Sequence, residues 1–206
     1  MATRPILLSD VGGVVVEDHW AAVGRELSKE FPIDPRRARV ILLDLCPRFD
    51  LGEETLEDFH KQFVSRLDVP IPWDAFRVAV TERGLRLIPE TFRLYSQLRN
   101  VLGVRIIALS NMSEGIWAIL DRRFQISLAF DGSVLSSRCH VTKPDPRFFA
   151  YALSEAGDQA SNCLFVDDLE PNVRGAQAVG IVSFQVSGDP RELRELLGMH
   201  YPGLPP

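Results

Sequence analysis

Four short runs of apolar and β-branched residues, Pro5 to Leu8, Val104 to Leu109, Cys163 to Val166 and Val182 to Val186, each give way to polar or small residues. Runs this short and this continuous suit strands buried on both faces of a parallel sheet. Between the last three, apolar residues recur at helical spacing: Ile116, Ile119, Leu120 and Phe124; then Phe149, Ala152, Leu153 and Ala156; then Val173 and Ala176. Parallel neighbours need a crossover, and a helix with one apolar face fills it, so this alternation restricts the chain to an α/β fold.

The stretch from Leu8 to Val104 breaks the alternation. It carries no strand pattern, yet Trp20, Val23, Leu27 and Phe31 share a helical face, as do Ala38, Ile41, Leu42 and Leu45. Leu56, Phe59, Phe63 and Leu67 form a third such face, and Trp73, Phe76 and Val80 a fourth. Proline and glycine in "FPIDP" (31–35), "CPRFDLGEE" (46–54) and "DVPIPW" (68–73) are expected to end these helices. The expectation is a Rossmann-like parallel sheet core, residues 1–16 and 88–206, with a small helical-bundle cap inserted at 17–87. At 206 residues the chain is long enough for one core and such an insert. The tail "MHYPGLPP" is expected to fray.

A net charge of −5, with scattered positive residues, gives no electrostatic footprint for nucleic acid. Cys46, Cys139 and Cys163 are odd in number and lack CxxC spacing, which argues against a disulfide framework or a zinc site and for a reducing compartment. The start "MATRPILLSD" has too short an apolar run for a signal peptide, and no run approaches a membrane span, so a cytoplasmic location is expected.

Ligands of open parallel sheets collect at the strand C-termini. Asp10 follows the first run, Ser110 and Asn111 the second, and Asp167 with Asp168 the third. Lys143 precedes a helix for which Asp145 is the expected N-cap and Pro146 the first helical residue. Alone, each has an ordinary reading: a turn-capping aspartate, loop residues, a surface lysine. The acidic pair has one too, a solvated helix entrance before Glu170 and Pro171, but two adjacent carboxylates after a buried strand, with a third close behind, repel one another unless a cation is near, which favours a metal site.

The segments "LLSDVGGVVV", "IIALSN", "KPDPRFF" and "LFVDDLEPNVRGAQAVGI", in this order, resemble the haloacid dehalogenase superfamily, in particular its phosphatase branch with a helical cap. The resemblance spans essentially the whole chain. It implies a magnesium-dependent hydrolase of small phosphomonoesters, with Asp10 attacking phosphorus to form an aspartyl-phosphate. It implies a Mg2+ site at Asp10, the Gly12 carbonyl, Asp167 and Asp168, with a small phosphorylated metabolite as partner. It further implies that Ser110, the Asn111 amide, Gly13 and Lys143 meet the phosphate, and that Asn172 orients the carboxylates.

The sequence departs from many relatives at position 12, where an aspartate serves as general acid and base. Glycine cannot move a proton. The Asp-x-Gly-Gly pattern resembles a subgroup acting on sugar phosphates such as glucose 1-phosphate, whose leaving group is acidic enough to need less help. Among the histidines, His19 is the one candidate substitute. In the cap, "CPRFDLGEE" makes Arg48 a candidate substrate contact. A catalytically quiet binding or regulatory module remains an alternative. So do a dehalogenase, which would leave Asp167 and Asp168 unexplained, and a phosphonate hydrolase, which would need Lys29 or Lys61 to form an imine.

Overall fold

The computed structural model describes residues 5–204. Its strands β1 (Ile6–Ser9), β2 (Ile106–Ser110), β3 (Gly132–Leu135), β4 (Cys163–Asp167) and β5 (Val182–Gln185) form one parallel sheet in the order β3-β2-β1-β4-β5. Every residue of β1, β2 and β4 is buried, which is why these runs read so clearly. The sequence pattern does not reveal β3. It is an edge strand of sequence GSVL whose first two residues are only half-buried, so it carries little apolar signal.

Helices cover both faces. On one, α8 (Pro146–Ala156) and α9 (Glu170–Ala178) pack Phe148, Phe149, Ala152 and Ala176 against Leu8, Leu109 and Phe165. On the other, α5 (Pro89–Leu102), α6 (Glu114–Phe124) and α10 (Pro190–His200) join a larger core built on Leu7, Ile106, Ala108 and Val166. A single turn, α7 (Ser136–Cys139), follows β3. The helix starts follow local chemistry: Asp145 accepts the Arg147 N–H with Pro146 behind it, and Ser113 accepts the Ile116 N–H.

Between β1 and α5 lie α1 (His19–Ser28), α2 (Pro35–Asp50), α3 (Leu56–Leu67) and α4 (Trp73–Val78), the last continuing as a π-helical turn to Arg83. The chain leaves and returns at one place: Glu17 N–H bonds the Arg86 carbonyl at 2.9 Å, and Ile88 N–H the Val15 carbonyl at 2.8 Å. One break is misplaced in the sequence reading. Instead of stopping at Leu45, α2 runs through Pro47 to Asp50. Proline leaves the Leu43 carbonyl without its usual i+4 donor, and the Cys46 thiol bonds that carbonyl instead, at 3.3 Å. Phe49 then packs on Trp20 and Phe59, so burial outweighs the proline.

The tail also departs from expectation. Tyr201 is fully buried and bonds back to Leu197, and Leu204 bonds to Tyr201. Residues 205 and 206, like 1–4, lie outside the described residues. No helix among the described residues is long and apolar enough to cross a membrane.

Candidate active site

The sheet order changes direction at β1, which pairs with β2 on one side and β4 on the other, and a crevice opens at its C-terminal end. Ser9 pairs with Val166, so Asp10 and Asp167 stand level one step beyond, and Asp10 N–H bonds the Val166 carbonyl at 2.9 Å. The backbone under Asp10 is held as well. Ser9 Oγ donates to the Asp10 carbonyl and accepts from Tyr95 of α5, each at 2.6 Å.

Lys143 ties the carboxylates together. Its Nζ, buried beneath the crevice, lies 2.6 Å from Asp167 Oδ2, 3.0 Å from Asp10 Oδ1 and 2.8 Å from the Leu109 carbonyl. These three partners use all of the ammonium's hydrogens. Burial works against this charge, but Asp10 and Asp167 override it and raise the lysine's pKa. The Asn111 side chain clamps the lysine's backbone, its Oδ1 accepting the Lys143 N–H and its Nδ2 donating to the Lys143 carbonyl.

The carboxylates differ in what they have left to offer. Asp167 is fully buried; its oxygens accept from the Leu169 N–H, Asn172 Nδ2 and Lys143. Asp10 Oδ1 accepts the Val11 N–H at 2.6 Å, while no described residue donates to Oδ2. Asp168 is half-buried, and burial together with Asp167 pushes its carboxyl up to about 6. Burial, then Asp167, likewise raises Asp10 well above the usual carboxylate range, with Lys143 opposing.

Three carboxylates against one ammonium leave the cluster short of positive charge. Asp10, Asp167 and Asp168 offer oxygens within 4.8 Å of one another. A donor set of oxygens alone, with surplus negative charge, suits a hard divalent cation such as Mg2+.

The glycines behave differently. Gly13 has φ +73°, and a Cβ there would collide with the Asp168 carboxylate, so the position requires glycine. A Cβ on Gly12 would meet nothing within 4 Å.

A cavity of about 180 Å³ opens over the cluster, between the sheet and the inserted helices. Asp10, Gly12, Gly13, Ser110, Asn111, Lys143, Asp168 and Asn172 all reach its wall. Ser110 is buried, yet its hydroxyl bonds no described residue. Much of the wall above the cluster, the roof of the cavity, is apolar, with Trp20, Leu43, Phe49, Leu85, Met112 and Ile116, interrupted by Asp18, His19, Arg39 and Asp50. Arg48 is not brought to this cavity; its side chain is 65% exposed and pairs with Glu53 and Glu54. His19 does line it, but its Nε2 lies 2.9 Å from the Val80 carbonyl, and burial lowers its pKa to about 4.

Three charged residues of the wall have no signal in the sequence taken one by one: Asp18 and Arg39, paired at 2.6 Å, and Asp50. For Arg39 and Asp50 the missed signal is the 4-3-4 spacing of Arg39, Leu43, Cys46 and Asp50, one stripe of α2, hidden by ending that helix too early.

A family profile described as haloacid dehalogenase-like hydrolase matches residues 6–180. Acyl-CoA dehydrogenase family member 10 of Mus musculus is 30% identical over 204 residues, 92% of this chain; the chain spans only 18% of that protein's length. The sesquiterpene phosphatase astK of Aspergillus oryzae is 29% identical over 165 residues, 77% of this chain and 82% of that protein. A HAD family enzyme of Bacteroides thetaiotaomicron, in complex with magnesium and inorganic phosphate, has a TM-score of 0.69 at 20% identity, covering 91% of this chain and 96% of its own. An L-2-haloacid dehalogenase of Xanthobacter autotrophicus has a TM-score of 0.71 at 15% identity, covering 99% and 85%. These two structures share the fold.

Proposed function

Because the chain belongs to the haloacid dehalogenase-like hydrolases, we propose that it is a Mg2+-dependent phosphatase acting on phosphomonoesters of apolar alcohols, with residues 17–87 serving as its cap. The observation that carries this reading is the pairing of a buried nucleophile cluster with a largely apolar roof.

Asp10 Oδ2, the one oxygen of its carboxylate without a hydrogen-bond donor among the described residues, is the nucleophile toward phosphorus. Lys143 opposes the effect of burial on Asp10 and favours its ionised form, and its engaged hydrogens make it a bridge between carboxylates more than a phosphate clamp. Ser110 Oγ, with no partner among the described residues, takes a phosphate oxygen. Asp10, Asp168 and the Gly12 carbonyl would hold the cation, while Asp167 is occupied by Lys143 and Asn172 and acts by fixing Lys143. When bound, the ion screens the repulsion between substrate and nucleophile and polarises the phosphoryl oxygens. A dehalogenase would leave this oxygen cluster without a use.

The roof redirects the expected substrate from a sugar to an apolar alcohol. Trp20, Leu43 and Phe49 offer no partner to sugar hydroxyls, whose unmatched burial costs free energy, whereas they match an alkyl or isoprenoid chain. The name of the fungal relative, a sesquiterpene phosphatase, supports the same direction. The free thiols suit a reducing, cytoplasmic setting.

The test is phosphate release from farnesyl phosphate and from glucose 1-phosphate, with chloride release from 2-chloropropionate as the dehalogenase control, each with Mg2+ and with chelator. Mg2+-dependent turnover with a higher kcat/KM for the isoprenoid is expected. Tight ligand binding without turnover of any compound would point to a quiet module, and halide release to a dehalogenase.

A further inference from the structure

We propose that Asp50 is the general acid of this site, delivering from the inserted helices the proton that the glycine at position 12 cannot; the inference rests on the phosphatase reading above. Asp50 is the last residue of α2 and closes the stripe of Arg39, Leu43 and Cys46 that faces the cavity over Asp10. It is 8% exposed and forms no ion pair among the described residues; the polar neighbour of its carboxyl is the Cys46 thiol one turn back. Two carboxyls in one cavity, Asp50 without a charged partner among the described residues and Asp10 beside the Lys143 ammonium, make the pairing that divides acid from nucleophile in acid-base catalysis.

Its backbone is anchored to the phosphate-binding side. Ser136 Oγ donates to the Asp50 carbonyl at 2.6 Å and accepts the Met112 N–H at 2.9 Å, joining the end of α2 to the loop after Ser110. Burial pushes the Asp50 carboxyl up to about 8, so it carries a proton at neutral pH. Its place at the carbonyl end of a helix opposes ionisation in the same sense.

The other ionisable groups of the wall are unsuited. Asp18 is paired with Arg39, Lys143 is held by carboxylates, and His19 is neutral with Nε2 engaged. Burial pushes the Cys46 thiol up, which makes it too weak an acid. Asp10 and Asp168 belong to the cation cluster. From α3, which packs against α2, no residue reaches the cavity, and Glu53 and Glu54 just beyond Asp50 pair with Arg48.

The chemistry balances. Asp10 Oδ2 forms a bond to phosphorus as the bond to the alkoxy oxygen breaks, and that oxygen takes the electron pair and the Asp50 proton to leave as the alcohol. Water then attacks phosphorus, returning one proton to the Asp50 carboxylate, while the Asp10–phosphorus bond breaks to release hydrogen phosphate.

The experiment compares first-turnover alcohol release from an alkyl phosphate and from 4-nitrophenyl phosphate, whose leaving group needs no acid. In Asp50→Asn the alkyl ester is expected to slow by about 10²- to 10⁴-fold, while the nitrophenolate burst persists. Placing Asp at the open Gly12 position of that variant should restore the alkyl ester. In the unsubstituted enzyme the alkyl rate should fall as pH rises through about 8, with the nitrophenyl burst lacking that limb. An unchanged alkyl rate in Asp50→Asn, equal loss on both esters, or an alkyl rate flat through that pH would overturn the role of Asp50 and leave the phosphatase reading standing. Absence of turnover of either ester by the unsubstituted protein would overturn the phosphatase reading and this inference with it.

Discussion

Replacing Asp50 by Asn should stabilise the protein, and by an amount that grows with pH. Burial raises the folded carboxyl from its ordinary 3.8 to about 8, so a proton bound in the folded state is lost on unfolding across that window. A carboxyl raised in this way supports the fold fully below pH 4, and that support is lost as pH climbs to about 8. Each pH unit is worth about 1.4 kcal/mol, which makes the full effect on the order of 5 kcal/mol. Asn keeps the shape and has nothing to ionise. Urea unfolding of both proteins at several pH values between 4 and 9 measures the difference directly. The Asn variant should gain relative to the parent by about 1.4 kcal/mol per pH unit and level off above pH 8. In a domain of this size each kcal/mol corresponds to about 2–4 °C in Tm. A difference that stays constant with pH would refute the reasoning, because it would mean that Asp50 ionises alike in both states.

Lys143→Met should cost about 3–5 kcal/mol at neutral pH, since it strands Asp10 and Asp167 without their buried counter-charge. Chemical denaturation checks the stability, and turnover should fall by at least about 100-fold. Gly13→Ala forces a side chain to φ +73° against Asp168. It should keep most of the fold, at a cost of about 1–2 kcal/mol, and lose Mg2+ affinity by calorimetric titration.

What was legible in the sequence follows burial. β1, β2 and β4 have uniformly buried residues, and the side chains at their ends, Asp10, Ser110 and Asp167, meet as a group because parallel register brings strand C-termini level. β3 carries little signal because only two of the four residues of this edge strand, GSVL, are apolar. Ending α2 early followed a sound local rule about Pro47, which the Cys46 thiol and the packing of Phe49 override in three dimensions. That one slip concealed Asp50, since its place on a helical stripe exists only if the helix continues to it. Arg48 illustrates the converse: its loop matched an expected pattern, yet helical phase turns it outward toward Glu53 and Glu54. Contacts such as Ser9 with Tyr95, 86 residues apart, have no local signature at all.

The central claim is that Asp10 takes the phosphoryl group with the help of a divalent cation. Acid quenching of the enzyme during turnover of an apolar phosphomonoester, followed by peptide mass spectrometry, tests it most directly. A phosphoryl adduct on Asp10 is expected that forms with Mg2+ and disappears with chelator. Turnover proceeding while Asp10 stays unmodified, or an adduct on another residue, would contradict it.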